Sequence, residues 1–437
     1  MSSTMTDAAS REWQRSTIGE QLRLVNGFGF KPHDWKESGI PIVRIQNLND
    51  NAAPFDYVQG TVDERFHVVT GDLLFAWSGS RGTSFGPFLW ERGNAVLNQH
   101  IFNVRIRNVD ELDKSFCYYW LKFLVPEIEQ SAHGSAGLVH VTRKELERFR
   151  FPVVPEHEQH EIARILTTLD NLIQKTEALI AKYQAVKQGM MNDLFTRGVD
   201  DNGHLRPTYE EAPDLYKPSE LGWIPKQWEP ATIADVTIGR PKNGYSPKES
   251  DEWTGTLMLG LSCLTISGFA PIQLKHAPQN DPNLEPALLR DGDILISRSN
   301  TRELVGLVGR YSDIGVPCIY PDLMMRIVPS NRIRPAFLET ALRHAPVRRQ
   351  LTGSSCGTSG SMMKINSEMV LRTCLPLPPA PEQDTLLERC AGVDNLLQGE
   401  HLILAKLCKT KSGLMQDLLT GKVRVKDDNS QEVTTHA

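Results

Sequence analysis

Side chains able to make or break bonds are present in this sequence, but none stands in a complete constellation. Methyl transfer to an adenine needs Asn or Asp followed by Pro-Pro and an aromatic residue to hold the extruded base, with a glycine-rich cofactor loop. The one Pro-Pro pair, Pro378-Pro379, is followed by Ala380 and stands at the entry of an expected helix. Metal-dependent phosphodiester cleavage of the common kind needs Asp or Glu, one residue and Lys, with an upstream acid to share Mg2+. Asp34-Trp35-Lys36 is the sole match, in an expected turn, and Asp7 is its one preceding aspartate. There is no Gly-x-x-x-x-Gly-Lys-Ser/Thr phosphate loop, since Gly421-Lys422 is followed by Val423. The seven cysteines are scattered without a Cys-x-x-Cys pair, and the histidines lack His-Glu-x-x-His spacing. Neither a disulfide framework nor a metal site is expected, and no catalytic residue or cofactor is assigned.

What the sequence does offer is groups suited to reading base edges: Arg, Lys, Asn, Gln and small hydroxyls on short protruding elements. Toward the N-terminus these are Arg44, Gln46 and Asn47 after an expected strand, Ser78, Ser80 and Arg81 in WSGSRG, and Asn98, Gln99 and His100. His140, Arg143 and Lys144 join them from the stretch His133 to Lys144. Further on come Lys242, Asn243 and Tyr245, then Ser297, Arg298, Ser299, Asn300 and Arg302 in SRSNTR, then Ser359, Ser361 and Lys364 in the Ser-Gly run from Gly353. Arg343, Arg348 and Arg349 suit phosphate contact, although arginines along a helix face are ordinarily just solvated. Any single residue among them reads better as part of a solvated turn than as a base contact. SGSRG and SRSNTR gain weight because each follows a Gly-Asp strand, GDLLFAW at Gly71 and GDILIS at Gly292. A net charge of −5 lacks the overall positive field of a small autonomous DNA binder, so any such surface is local or completed by partners.

The elements that must carry these clusters emerge from an internal repeat. The 49 residues from Phe151 align without a gap onto those from Leu375, an offset of 224, with 17 identities that include Pro152/Pro376, Glu158/Glu382, Gln159/Gln383, Asp170/Asp394 and Asn171/Asn395. Each copy predicts a long helix: Pro155 and Pro379 precede acidic first turns, and Gly198 and Gly421 follow the last. In the first copy Ile162, Leu169, Tyr183 and Met190 lie on one seven-residue register, with Ile165, Leu172, Leu179 and Val186 three places later. The second keeps Leu386, Val393, Leu407 and Leu414, with Leu397 and Leu404 one place past the other register. A helix of about 40 residues spans ~60 Å, too long a stripe for a small domain to bury, so the two helices are expected to bury each other as an antiparallel coiled coil. Ile162, Leu169, Leu172, Leu179, Tyr183, Leu386, Val393, Leu397, Leu404 and Leu407 are the expected packing residues.

The fold class is therefore α+β, with two globular domains separated by two long helices in a pseudo-two-fold repeat. Residues 1–150 and 224–374 form the domains, 151–199 and 375–423 the helices, 200–223 a Pro-, Gly- and charge-rich linker, and 424–437 a polar tail. The domains are weakly alike in order: Trp13 and Ile18 answer to Trp228 and Ile233, and NVRIRN at Asn103 to MMRIVP at Met324. Antiparallel helices would set the two domains at opposite ends, which suits a duplex of antiparallel strands. With no basic start and no run of about 18 apolar residues, neither export nor membrane insertion is expected, and the location is read as cytoplasmic.

The chain resembles the specificity subunits of type I restriction-modification systems over nearly its whole length. The resemblance rests on Pro-x-x-Pro-x-x-Glu-Gln at Pro152–Gln159 and again at Pro376–Gln383, on LDNLI at Leu169–Ile173, and on WIPKQW at Trp223–Trp228. It implies a non-catalytic subunit with two variable target-recognition domains that reads a bipartite, asymmetric site in double-stranded DNA. It also implies that the helices dock two methyltransferase subunits and that restriction/translocase subunits join. S-adenosylmethionine, ATP and Mg2+ would then belong to those partners. The second copy departs from the pattern at Arg389, Cys390 and Glu400, which disturbs the evenness of the coiled coil. A coiled-coil adaptor whose domains bind protein without DNA specificity is the alternative, favoured mildly by the acidic balance.

Overall fold

In the computed structural model, residues 13–134, 138–355 and 363–425 are described. The chain divides into two compact α+β units, one of Met1–Ala178 with His401–Ala437 and one of Leu179–Glu400. No helix among the described residues is long and apolar enough to cross a membrane.

In the first unit a four-stranded antiparallel sheet runs in the order Leu22–Asn26, Ile101–Ile106, Leu73–Ala76, Gly86–Leu89. The run Leu73–Ala76 is apolar throughout because both its faces are covered. Leu73 and Phe75 join a core with Phe116, Leu121 and Leu124 of the helix Lys114–Ser131, while Leu74 faces a second core with Val43, Val68 and Leu97. That second core belongs to a sheet ordered Asp56–Val58, Ile40–Val43, Ala95–Leu97, His67–Val68, whose central pair is parallel. Asp113 caps the helix by accepting from Phe116 N at 2.7 Å, as an Asp N-cap should.

The other unit repeats this plan. Its antiparallel sheet is ordered Lys242–Asn243, Met324–Ile327, Ile294–Ser297, Val308–Arg310, and its second sheet again contains a parallel pair, Leu257–Leu259 with Cys318–Ile319. Two short helices, Pro335–Arg343 and Ala345–Ser354, replace the single helix. The segment expected as an open linker is folded: Tyr216–Ser219 and Gly222–Pro225 form a hairpin, and Tyr209 stacks on Trp223 at 4.2 Å. Its strands are too short for alternation to be visible in the sequence.

Both long helices are continuous, Glu156–Thr196 and Ala380–Leu419. In the first unit Glu158 meets Arg424 and Asp170 meets Lys411, and in the other unit Lys187 meets Asp394 and Glu382 meets the backbone of Val199. Within each unit the helical segments are therefore antiparallel. The Lys–Asp pairs exchange under the repeat, since the offset of 224 carries Asp170 onto Asp394 and Lys187 onto Lys411. Gly198 ends the first helix at φ +63°, where a Cβ would lie 2.2 Å from Glu382 Oε1, and Gly421 ends the second at φ +72°.

The seam itself corrects the expected register. Leu172 is 44% exposed and Val186 likewise faces solvent, so the row Ile165–Leu172–Leu179–Val186 lies beside the seam. The sheltered row is one residue later: Leu166, Ile173, Ile180, Lys187 and Leu194 alternate with Ile162, Leu169, Thr176, Tyr183 and Met190, none of them exposed. The second helix shelters Cys390, Leu397, Leu404, Lys411 and Leu418 with Leu386, Val393, Glu400, Leu407 and Leu414, the same register displaced by 224. Spacings of four and three residues in alternation are those of a heptad seam.

Candidate nucleic-acid interface

Each unit mounts its domain on a long helix through the same buried glutamine. Gln159 accepts from Asp113 N at 2.8 Å and donates to the carbonyls of Glu111 and Val154 at 2.8 and 2.7 Å. Gln383 accepts from Arg334 N at 2.8 Å and donates to Arg332 and Pro378 at 3.1 and 2.9 Å. Three strong bonds from a side chain with almost no solvent contact fix the angle at which the domain leaves the helix. The neighbouring glutamate clamps an arginine from beyond the helix end. Glu382 takes both nitrogens of Arg206, at 2.5 and 3.1 Å, and also accepts from Trp228 Nε1 at 2.9 Å and Val199 N at 2.8 Å. Glu158 binds Arg424, whose guanidinium stacks on Trp13 at 5.3 Å. In the sequence Glu158 and Glu382 stand in acidic first turns, and their identity in both copies is the signal for this second task.

On that mount, several candidate readers of the first unit converge around Trp77. Its indole donates to Gln99 O at 2.9 Å, its ring lies 5.3 Å from His100, and its carbonyl accepts from Val141 N at 3.0 Å. Ser78–Ser80 pairs with Leu138–His140, which brings Ser78 opposite His140. Gln99 Nε2 lies 3.2 Å from His100 Nε2. Gln99 Oε1 and His100 Nδ1 are buried with no protein partner, and His100 lines a cleft of about 280 Å³ together with Arg44, Gln46 and Asn98. Arg44 reaches Asp56 at 2.6 Å and lies over Trp35, while Gln46 is exposed. Arg81 is exposed in a turn whose Gly82 N donates to Glu129 at 2.9 Å. Arg143 and Lys144 are exposed on the helix Arg143–Leu146, with Arg143 paired to Glu147. In that helix Glu145 is held at a pKa of about 2, first by its hydrogen bond with His133 and then by those with Thr142.

Two of these candidates turn inward, which corrects their assignment. Asn47 is 1% exposed; it accepts from Arg44 N and donates to the carbonyls of Ala53 and Pro54, so its amide is fully occupied in holding the loop. Asn98 is also buried, its Oδ1 accepting from Gln99 N at 2.9 Å.

In the other unit Lys242 and Asn243 are exposed on the edge strand of the sheet, and Lys364 is exposed where Met363–Lys364 pairs with Ser299–Asn300. Arg298 is half-buried, with Nη1 3.4 Å from Asp322 O, and Asn300 Oδ1 accepts from Thr301 N. Tyr245 donates to Asp281 at 2.8 Å. Ser297, at the end of Ile294–Ser297, and Ser299, on Ser299–Asn300, correct the expectation: both are buried and their hydroxyls have no protein partner. Ser359 and Ser361 lie outside the described residues. Arg302 is exposed at the turn that follows.

Comparison with known proteins bears on this arrangement. Residues 10–183 match the family described as the type I restriction modification DNA specificity domain. The chain is 28% identical over 432 residues to the type I restriction enzyme MjaVIII specificity subunit of Methanocaldococcus jannaschii, covering 96% of this chain and 94% of that one. It is 24% identical over 432 residues to the EcoBI specificity subunit of Escherichia coli, covering 94% and 86%. Its fold is similar to that of the type I restriction-modification system S subunit from M. genitalium, with a TM-score of 0.56 at 16% identity over 96% of this chain and 99% of that one. By this domain match and these end-to-end likenesses, the chain is similar over nearly its whole length to type I restriction-modification specificity subunits.

Proposed function

We propose that the chain reads a bipartite, asymmetric site in double-stranded DNA, each domain taking one part through groove contacts, and that it is not itself catalytic. The observation that carries this reading is the repeated placement of polar groups. In both units a strand follows the Gly-Asp strand of the main sheet and pairs with a later return strand, Ser78–Ser80 with Leu138–His140 and Ser299–Asn300 with Met363–Lys364. Exposed basic and amide groups flank both sites, and such groups are the ones that distinguish base edges.

The long helices set the spacing between the two parts of the site. Their outward faces recruit two methyltransferase subunits, to which restriction/translocase subunits add. Leu172 and its repeat counterpart Leu396, 44% and 52% exposed, supply an equivalent apolar contact for each methyltransferase. S-adenosylmethionine, ATP and Mg2+ act on the partner subunits.

Methylation sequencing of a methylation-free host tests the proposal. Expression of this chain with its neighbouring methyltransferase should mark adenine in one bipartite motif, and the methyltransferase alone should mark none. No motif in either host, with the assembled complex verified, would overturn it.

A further inference from the structure

In the second unit an open cleft of about 540 Å³ is lined by Arg302, Glu303, Arg348, Arg349 and Thr352. It brings the turn after Ser299–Asn300 against the helix Ala345–Ser354, so guanidiniums 46 residues apart in the chain share one concavity. Glu303 is the only carboxylate among those five residues, and none of the three arginines forms an ion pair among the described residues. Arg348 donates to the carbonyl of Glu303, but its Nε is buried without a partner, and burial holds its pKa below the usual arginine range. The field of Arg349 also contributes to lowering the pKa of His344. Positive charge withdrawn from water without a counter-charge is costly, and a bound anion would remove that cost.

The first unit does not share the feature. The offset of 221 that carries Gly71 onto Gly292 places Arg81 at Arg302, but Glu127 at Arg348 and Ile128 at Arg349. There Glu129 takes the backbone of the turn instead.

We propose that Arg302, Arg348 and Arg349 clamp a phosphate of the DNA backbone beside the part of the site read by the second unit, a contact with no equivalent in the first. The proposal rests on the DNA-reading function above. Guanidinium forks match phosphate oxygens, and the cleft begins two residues beyond Asn300, where a phosphate flanking the read bases would fall. Such a contact fixes position and contributes affinity without selecting sequence.

The test uses the full chain assembled with its methyltransferase, as wild type and as Arg302→Gln/Arg349→Gln. Both side chains lack hydrogen bonds that the fold depends on, and melting of the variant checks folding. Binding is measured to a duplex bearing the methylated motif and to one of unrelated sequence, from about 50 to 200 mM salt. Loss of this phosphate's neutralisation should lower the slope of log affinity against log salt by about 0.9 and weaken both duplexes about 8-fold at 0.1 M salt, leaving their ratio and the methylated motif unchanged. An unchanged slope and affinity would overturn the clamp. So would a changed motif, which would mean base reading, or loss of the methyltransferase, which would mean a protein-docking cleft. If the wild-type complex binds neither duplex, the DNA-reading function fails instead.

Discussion

Replacing Glu382 by Gln keeps the shape of that side chain and removes its charge, which separates the electrostatics of the clamp from its packing. The side chains of Arg206 and Glu382 are 7% and 9% exposed, so the substitution strands a guanidinium that has no path to water. Breaking a buried pair from one side costs about 3–5 kcal/mol. Val199 N and Trp228 Nε1 also face a weaker acceptor. The equivalent Glu158→Gln leaves Arg424, 37% exposed, able to turn toward solvent, and the loss should be only about 1–2 kcal/mol. Native-state hydrogen exchange of the full chain, followed in peptides around Val199 and Trp228 and around Trp13 and Leu418, reads the opening free energy of each unit separately. Adding Arg206→Met to Glu382→Gln should recover much of the loss, because it removes the stranded charge. Equal losses at the two sites, or no recovery in the double variant, would refute the argument that burial of the arginine sets the cost.

Three further outcomes are expected. His344 is buried against Phe195 at 5.2 Å, and its pKa is lowered from 6.5 to about 4, first by burial and then by Arg349. Its contribution is complete above the unfolded value and is lost as pH falls through the window from 6.5 toward 4, so the second unit should lose about 2 kcal/mol between pH 7 and 5. His344→Phe should flatten that profile in hydrogen exchange, and an unchanged profile would contradict the assignment. Leu172→Glu with Leu396→Glu should leave stability within about 0.5 kcal/mol while weakening capture of the methyltransferase in a pull-down; undiminished capture would remove these residues from the docking face. Deleting residues 173–179 and 397–403 together removes one heptad between the two Lys–Asp pairs in each helix, about 10 Å or roughly three base pairs. Methylation sequencing should show a changed spacer with both parts of the site intact, and an unaltered spacer would mean that the helices do not set the spacing.

The long helices were legible because a gapless repeat and an apolar heptad pattern agreed, yet the seam was read one residue early. Two adjacent rows of the first copy are both apolar, and Lys187, which lies on the true row, made it look the poorer one. The second copy held the answer: Arg389 and Thr410 interrupt the false row, while Leu397 and Leu404 lie on the true one. A lysine on the seam is unfavourable for periodicity but not for the fold, because Asp394 neutralises it and the repeat supplies the reciprocal pair Lys411–Asp170. The candidate readers were legible by residue type and much less by direction. Asn47 sits three residues after Arg44 and turns inward to bond that residue's N–H, an arrangement of local backbone that composition does not reveal. The arginine cleft was out of reach of any local window, since Arg302 and Arg349 meet only through tertiary packing.

A division of labour follows from which residues the repeat retains. Glu158/Glu382, Gln159/Gln383, Asp170/Asp394 and Lys187/Lys411 are identical in both copies, and each makes a contact that holds a domain to a helix, a helix end to its neighbour, or helix to helix. The residues that line the two units' clefts are not repeated: Gln46 and His100 line that of one, and Arg348 and Arg349 that of the other. Equivalent mounts constrain the geometry of both domains in the same way, so under the proposed function differences between the two parts of the site have to arise from the unrepeated groups. Exchange of residues 1–150 for those of a similar specificity subunit should accordingly alter one part of the methylated motif and leave the other unchanged. Simultaneous loss of both parts, with the complex intact, would show that the mounts transmit specificity as well as position.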